Sequence, residues 1–365
     1  MKKIIYTIIT LFLIMIISGS IGGIIFIKDY QVPEIKTQII NDEKYIQTDD
    51  LKFVNIDIGY DDVKILPTNK SQIYLKYKGE IKSTSDEFNT SLNIERNSDE
   101  LNIKKISYNR EKKIKVFDFD NMHSSKLTLE IFIPESKILS LNSEDSLVEI
   151  QNLDFNKLKI KTHSREILLD NINANILDLD TFSGKIKANN IDVKKIKIDS
   201  NSGSFIGNFI DNNSNDEFDL KGYSPDVEIN NLNSKNFNVD LSSGDLKIKN
   251  SILNKADLES YSGNIESSKL KFNDIKIKTS SGDIQMNIAE LGDLNIKTYS
   301  GEVELDLLEN SSFNLIYDTY SGNIENSFPI VLKSNSKYKV EGFVGNKKDA
   351  KDIYIKLDSG NLKIN

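Results

Sequence analysis

Apolar and polar residues alternate along most of the chain from residue 51 onward, which is the period-2 pattern of β-strands with one buried face and one wet face. From residue 162 the pattern becomes a sequence repeat of nearly constant length, and each copy consists of an alternating run, a Ser-Gly pair and a second alternating run. Gly244, Gly263, Gly282 and Gly301 follow one another at intervals of 19 residues. A constant period in this range predicts a solenoid of stacked turns.

The residues predicted to face inward are the apolar members of each alternating run. Before the Ser-Gly pair they are Leu158/Ile160, Leu177/Leu179, Ile196/Ile198, Phe218/Leu220, Phe237/Val239, Ala256/Leu258, Ile275/Ile277, Leu294/Ile296, Leu315/Tyr317 and Ile353/Ile355. After it they are Ile167/Leu169, Ile186/Ala188, Val227/Ile229, Leu246/Ile248, Ile284/Met286, Val303/Leu305 and Leu362/Ile364. The predicted fold is therefore an all-β, single-chain β-solenoid of about 19-residue turns, with two strands per turn facing each other across a thin core.

Four regions are predicted along the chain. Residues 1–27 form a transmembrane signal anchor, residues 28–50 a polar stalk, residues 51–135 an N-terminal β cap, and residues 136–365 the repetitive solenoid. The cap is expected because the first turn of a solenoid otherwise exposes a strand edge and core side chains. At the C-terminal end, residues 338–350 do not follow the 19-residue repeat. Either they fold back over the last turn, or the strand carrying Leu362 and Ile364 is an open edge.

The N-terminal segment is long enough to cross a membrane. Residues 4–27 carry no charge, and a helix of this length spans about 36 Å, more than the about 30 Å of a hydrocarbon core. The alternative is a cleaved signal peptide with a site near Ser20, but the apolar run continues beyond that point. Lys2 and Lys3 favour a cytoplasmic N-terminus, so the rest of the chain is expected to be extracytoplasmic.

Composition narrows the function classes. The net charge of −8 argues against nucleic-acid binding, which needs a basic face. Cysteine is absent, which excludes disulfides, and the two histidines, His123 and His163, are interpreted as a loop residue and a solvent-facing corner residue. No phosphate-binding, dinucleotide-binding, nucleophile-elbow or calcium-loop motif occurs, so we assign no catalytic residue, metal ligand or cofactor.

Two polar columns at the Ser-Gly corner could in principle carry chemistry. The first is a column of serines: Ser164, Ser183, Ser202, Ser224, Ser243, Ser262, Ser281, Ser300, Ser321 and Ser359. The second follows the corner position: Asp226, Asp245, Asn264, Asp283, Glu302, Asn323 and Asn361. A residue type that recurs in every turn is expected to be scaffold, because an active site is usually unique, and Asp and Asn favour turns.

Aromatic residues form a third column, just before the corner serine, on about every second turn. The candidate binding strip consists of Phe182, Tyr223, Tyr261, Tyr299 and Tyr320. Such a strip could stack on sugar rings or on a protein partner. The competing interpretation is cross-strand packing of aromatic over small residues, which stabilises stacked strands by itself.

The chain resembles a known family. An N-terminal apolar helix, a strand ending in Ile131-Phe-Ile-Pro134, and repeated Thr-x-Ser-Gly turns followed by Asp, Asn or Glu are similar to the putative-adhesin domain of Firmicute membrane-anchored envelope proteins. The resemblance covers roughly residues 51–365. It implies a β-solenoid of uncertain function and supplies no catalytic residues.

Three hypotheses for the function follow. The first is a non-enzymatic, membrane-anchored module of the cell envelope that binds a polymer, a protein or a host surface. The second is a scaffold or regulatory partner in an envelope-stress response. The third is a polysaccharide-active solenoid enzyme that uses acidic side chains. The sequence does not predict the ligand, the oligomeric state or the handedness of the coil.

Overall fold

The computed structural model describes residues 34–84, 89–108, 123–135, 137–210 and 214–365. These residues form a β-solenoid of about nine turns of about 19 residues, and none of the described ranges contains a helix. The predicted all-β solenoid is therefore confirmed. The predicted anchor, residues 1–27, lies outside the described ranges, and within them we find no helical segment with the length and apolarity to cross a membrane.

The strands are numbered here in chain order. The N-terminal strands are β1 (Lys36–Gln47), β2 (Phe53–Asp57), β3 (Asp62–Pro67), β4 (Gln72–Ser83), β5 (Asn89–Asn97), β6 (Glu100–Tyr108), β7 (His123–Ile133) and β8 (Lys137–Asp145). The central strands are β9 (Val148–Ser164), β10 (Glu166–Thr181), β11 (Lys185–Phe209), β12 (Ser214–Asn215), β13 (Glu217–Asn230), β14 (Asn233–Leu241), β15 (Leu246–Lys249), β16 (Ile252–Ser262), β17 (Ile265–Ser281), β18 (Ile284–Glu290), β19 (Asp293–Ser300) and β20 (Val303–Asp306). The C-terminal strands are β21 (Phe313–Ser321), β22 (Ile324–Asn326), β23 (Val331–Asn335), β24 (Lys339–Val344), β25 (Lys351–Ser359) and β26 (Leu362–Ile364).

Successive turns stack in parallel and in register. In the central turns each residue pairs with the residue 19 positions further on, as Leu177 does with Ile196 and Ile275 with Leu294. All the apolar residues predicted to face inward are buried. The period in the sequence is therefore the length of one turn, and its alternation marks the core.

Several central turns contain a third buried pair, so the prediction of two facing strands per turn was incomplete. Ile172 and Ala174 in one turn, and Ile191 and Val193 in the next, are buried between the two predicted pairs. An asparagine with positive φ precedes this third pair, with φ of 54° at Asn171. Asparagine tolerates this left-handed conformation better than most residues, which explains why it recurs at this corner.

The Ser-Gly corner requires glycine because the backbones of neighbouring turns approach closely there. Gly263 has φ of 127°, and a Cβ atom at this position would lie 2.1 Å from the carbonyl oxygen of Gly244. Where Arg165 replaces the glycine, it adopts φ of 73°. Glycine at this corner is therefore selected both by conformation and by space.

The N-terminal cap extends the solenoid by two branches. On one side β8 pairs with β2, β2 with β6, and β6 with β5. On the other side β3 pairs with β7, β7 with β4, and β4 with β1. Part of the segment predicted as a stalk is thus the edge strand β1, and residue 123, predicted in a loop, begins β7.

The C-terminal turn is inserted into the stack rather than added at its end. Strand β25 pairs with β19 on one side and with β21 on the other, and β26 likewise lies between β20 and β22. The open edge at Leu362 and Ile364, one of the two predicted alternatives, is therefore wrong. The other alternative is correct in part, because strand β24 lies within residues 338–350 and covers an end of the stack, although it covers β21 and not the last strands of the chain. The end of the stack is covered by β24, which pairs antiparallel with β21, and by β23 beside it.

Candidate functional site

The five residues of the predicted aromatic strip lie in one column on one face of the solenoid. They occupy the last outward-facing position before the Ser-Gly corner and are exposed: Phe182 51%, Tyr223 65%, Tyr261 71%, Tyr299 68% and Tyr320 79%. Each of the five side chains is therefore at least half exposed, even where it also contacts a neighbouring turn.

The rings alternate strictly with small or polar residues along the stack. Asn201, Ser242 and Ser280 separate the first four rings. In the sequence Tyr299 and Tyr320 belong to consecutive copies, but the inserted C-terminal turn places Asp358 between them. Consecutive rings are therefore two turns apart throughout, or about 9.6 Å at the usual spacing of paired strands.

Two ring pairs at the ends of the strip show how the rings are oriented. The His163 ring stacks on the Phe182 ring of the next turn, with centroids 4.7 Å apart and planes 2° apart. Tyr338, which the sequence did not assign to the strip, stacks on Tyr320 with centroids 6.3 Å apart. At these two ends the planes of the rings are roughly perpendicular to the long axis of the stack, so each ring projects from the surface edge first.

Two grooves lie beside the strip, one toward each of its ends. A groove of about 540 Å³ lies beside Phe182 and Tyr223, and its floor includes Thr181 and Asn201. A second groove, of about 500 Å³, is lined by Tyr320 and Tyr338 together with Lys356 and Asp358. Because both grooves are open and lined by polar side chains as well as rings, they are suited to a mixed polar and apolar partner.

The strip runs beside two columns of charged side chains on the same face. Several of these charges pair between neighbouring turns, as Lys161 does with Asp180 at 3.0 Å and Lys278 with Glu259. The hydrogen bond from Lys278 to Glu259 raises the pKa of the lysine ammonium group. These pairs are exposed and add little stability, so their main effect is on the charge pattern of the face.

The serine column is used by the scaffold. Ser202, Ser243 and Ser300 each donate a hydrogen bond to a carbonyl oxygen of the preceding turn, at 3.2, 3.3 and 3.3 Å. The acceptors belong to Phe182, Tyr223 and Ser280, which are strip or spacer positions. The hydroxyls thus fix the backbone on which the rings are mounted.

The acidic and amide column is a second scaffold ladder. The Asp245 carboxylate accepts a hydrogen bond from the backbone N–H of Asn264 at 2.9 Å, and Asp283 does the same for Glu302 at 2.9 Å. Within the described ranges, no group of three or more His, Cys, Asp and Glu side chains is placed to hold a metal ion. The repeating bonds account for the acidic residues as parts of the corner.

One buried polar cluster was missed by the sequence analysis. In the cap, the Tyr77 hydroxyl donates to Asp61 at 2.6 Å, and Lys105 donates to the other oxygen of the same carboxylate at 2.6 Å. Burial, together with the hydrogen bond to Asp61, raises the pKa of Tyr77. These three residues lie outside the 19-residue repeat, so the periodicity of the sequence did not indicate them. The hydrogen bonds among them satisfy the buried Asp61 carboxylate, and we interpret the cluster as structural.

The fold and the strip define a class of protein: a β-solenoid that mounts a regular column of exposed rings on a rigid face. The model of the Toastrack family, DUF4097, matches residues 52–221 and 210–365, so the chain belongs to this family. No curated protein matches the chain.

Several solved structures are similar to this chain. One is a putative adhesin from Parabacteroides merdae, with 16% identity, a TM-score of 0.40, and coverage of 73% of this chain and 95% of that chain. A putative adhesin from Parabacteroides distasonis has 16% identity, a TM-score of 0.30, and coverage of 71% and 97%. A putative lipid binding protein from the same species has 12% identity, a TM-score of 0.32, and coverage of 91% and 97%. The predicted family is confirmed, and its Firmicute origin stays a prediction.

Proposed function

We propose that this chain is a non-enzymatic binding module of the cell envelope, held to the membrane by residues 1–27 and exposed on the extracytoplasmic side. Its strip contacts a polymer, a protein or a host surface. The observation that carries this proposal is the contrast between columns at one corner. The serine and acidic columns are engaged in hydrogen bonds between turns, whereas the aromatic column remains exposed.

A rigid row of rings suits the binding of extended partners. Aromatic side chains supply a large contact area at little cost in conformational entropy, and rings held at fixed spacing need no rearrangement on binding. The membrane attachment is supported by the uncharged segment 4–27 and its flanking lysines.

The strip predicts a specific binding defect. Replacing Tyr261 and Tyr299 together by Ser should weaken binding by about 1–3 kcal/mol, because each lost aromatic contact is worth about 0.5–1.5 kcal/mol. The measurement is a binding screen of the purified protein against envelope glycans and envelope extracts, followed by titration of whatever binds.

The matched control is Tyr60→Ser, since Tyr60 is a comparably exposed tyrosine, at 68%, in the cap. This control should bind like the wild type. Equal affinity of the double variant and the wild type would show that the strip is not the contact surface.

A further inference from the structure

The gaps in the strip have room for one aromatic ring each. Tyr223, Tyr261 and Tyr299 lie two turns apart, with Ser242 and Ser280 between them. Where the structure places rings on adjacent turns, as at His163 and Phe182, they stack 4.7 Å apart. A ring inserted at a serine would therefore stack on both neighbours at nearly the same distance. The strip of a second copy, shifted by one turn relative to the first, would place one ring opposite each serine gap.

The charges beside the strip divide into an acidic half and a basic half. The acidic half contains Asp219, Asp240, Asp257 and Glu259, with Lys221 among them. The basic half contains Lys276, Lys278, Lys297 and Lys356, with Asp358 and Asp318 in its last two turns. The boundary falls between the turn of Tyr261 and the turn of Ser280. All four lysines of the basic half are exposed.

The acidic half also contains a hollow that could receive a cation. It has a volume of about 190 Å³ and its charged lining consists of four carboxylates and one lysine: Asp219, Asp240, Asp257, Glu259 and Lys221. One carboxylate oxygen of Asp257 has no hydrogen-bond partner in the structure. A lysine side chain from a facing molecule matches this site in sign and in reach.

A two-fold axis that lies in the plane of the face and runs parallel to the strands fits both the spacing of the rings and the division of the charges. When the axis crosses the face between the turns of Tyr261 and Ser280, Tyr261 meets the serine gap of a second copy. Close to the axis, the same operation sets Glu259 against Lys278 of the second copy and Asp240 against Lys297 of the second copy. Further out it sets Lys221 against Lys356 of the second copy, so the complementarity is confined to the two turns on each side of the axis. A parallel pair related by a two-fold axis along the strip would set rings on rings and leave the charge columns of the two copies on opposite sides of the strip.

We propose that the strip is a self-complementary surface through which two copies of this chain pair face to face with their long axes antiparallel. This inference rests on the proposed function and deepens it by naming the partner, a second copy. Because each copy is anchored at its N-terminal end, antiparallel pairing puts the two anchors at opposite ends of the pair. Such pairs join two membranes and make the protein a homophilic adhesin.

The area of the face indicates that one pair of molecules binds weakly. From the turn of Tyr223 to that of Tyr320 the face measures about 30 Å by about 15 Å, so a pair covers about 900 Å² in total. Interfaces of this size are weak and transient. Many weak pairs acting between two membranes nevertheless give firm adhesion, because the later contacts form at a high effective concentration.

The test uses the full-length chain reconstituted into phosphatidylcholine vesicles, with vesicle aggregation followed by light scattering. Wild-type vesicles should aggregate. Lys278→Glu alone and Glu259→Lys alone should each slow aggregation at least about tenfold, because each places like charges face to face across the axis. Vesicles of these two variants, mixed, should aggregate within about twofold of the wild-type rate, since their charges are again opposite.

Steric variants provide a second arm. Ser280→Tyr fills a gap of the strip and should abolish aggregation, whereas Ser268→Tyr, an exposed position outside this face, should not. Sedimentation equilibrium of the purified chain in detergent, with the same variants, measures pairing without depending on membrane insertion. It should show a weak dimer for the wild type and for the mixed charge variants.

Three results would overturn the pairing: a wild-type chain that neither aggregates vesicles nor dimerises, aggregation unaffected by the charge and steric variants, or failure of the mixed variants to recover. If Tyr261→Ser with Tyr299→Ser still reduces binding of an envelope ligand in such a case, the proposed function stands and the second copy is not its partner. If neither pairing nor ligand binding depends on the strip, both proposals fail.

Discussion

Deleting residues 351–365 should unfold the C-terminal part of the solenoid and make the protein aggregate. This segment carries Ile353, Ile355, Leu357, Leu362 and Ile364, all at most 1% exposed. Fully burying an aliphatic side chain contributes about 1.5–3 kcal/mol, so the loss is on the order of 10 kcal/mol, comparable to the stability of a whole domain. The deletion also leaves β20 and β22 with unpaired edges that other chains can join.

Light scattering and hydrogen exchange measure this outcome directly. A synthetic peptide of residues 351–365, added during refolding, should re-enter between the neighbouring turns and restore a monodisperse protein with protected amides in β19 and β21. The matched control is the same peptide with Asp at positions 355 and 362, which should not restore it. A monodisperse deletion variant with normal exchange protection would show that the C-terminal turn is not inserted in the stack.

The second large effect is expected from a single charge in the core. Ile277 is fully buried at 0% exposure, and Ile277→Asp would place a carboxylate between stacked turns without a partner. Burying an unpaired polar or charged group costs several kcal/mol, so we expect a loss of about 4 kcal/mol or more in the free energy of unfolding.

The neighbouring residue supplies the control. Lys276 is exposed and points away from the core, so Lys276→Asp should change the free energy of unfolding by less than about 1 kcal/mol. Denaturant titrations of both variants measure the difference. Similar losses for the two variants would mean that the inward and outward faces have been exchanged.

The parts of the fold that recur locally could be predicted from the sequence. Alternation at Ile275 and Ile277 marks one buried pair, and the interval from Gly263 to Gly282 gives the length of a turn. The third buried pair was accessible in the same way, because Asn152, Asn171 and Asn190 recur at intervals of 19 and mark its corner. That signal was overlooked because asparagine is common in many kinds of turn.

The order of the last turns could not be predicted. The turns beginning at Leu294, Leu315 and Ile353 share the same alternation of inward and outward residues, so the pattern in the sequence does not distinguish their order in the stack. The order becomes visible only in the tertiary structure. Strand β24 pairs with one edge of β21, and β25 pairs with the other edge, between β21 and β19. The candidate strip was predicted residue by residue, but its strict alternation depends on Asp358 and therefore on this insertion.

Cross-linking between two engineered cysteines tests most directly the central claim that the strip pairs with the strip of a second copy. The chain has no cysteine of its own, so Asp240→Cys with Lys297→Cys introduces the sole pair. These positions lie three turns apart in one molecule, about 14 Å, but face each other across the antiparallel pair. With a short bis-maleimide, the double variant should give covalent dimers at low protein concentration, and each single variant should remain monomeric. Dimers from the single variants, or none from the double variant at concentrations where the wild type associates, would contradict the account.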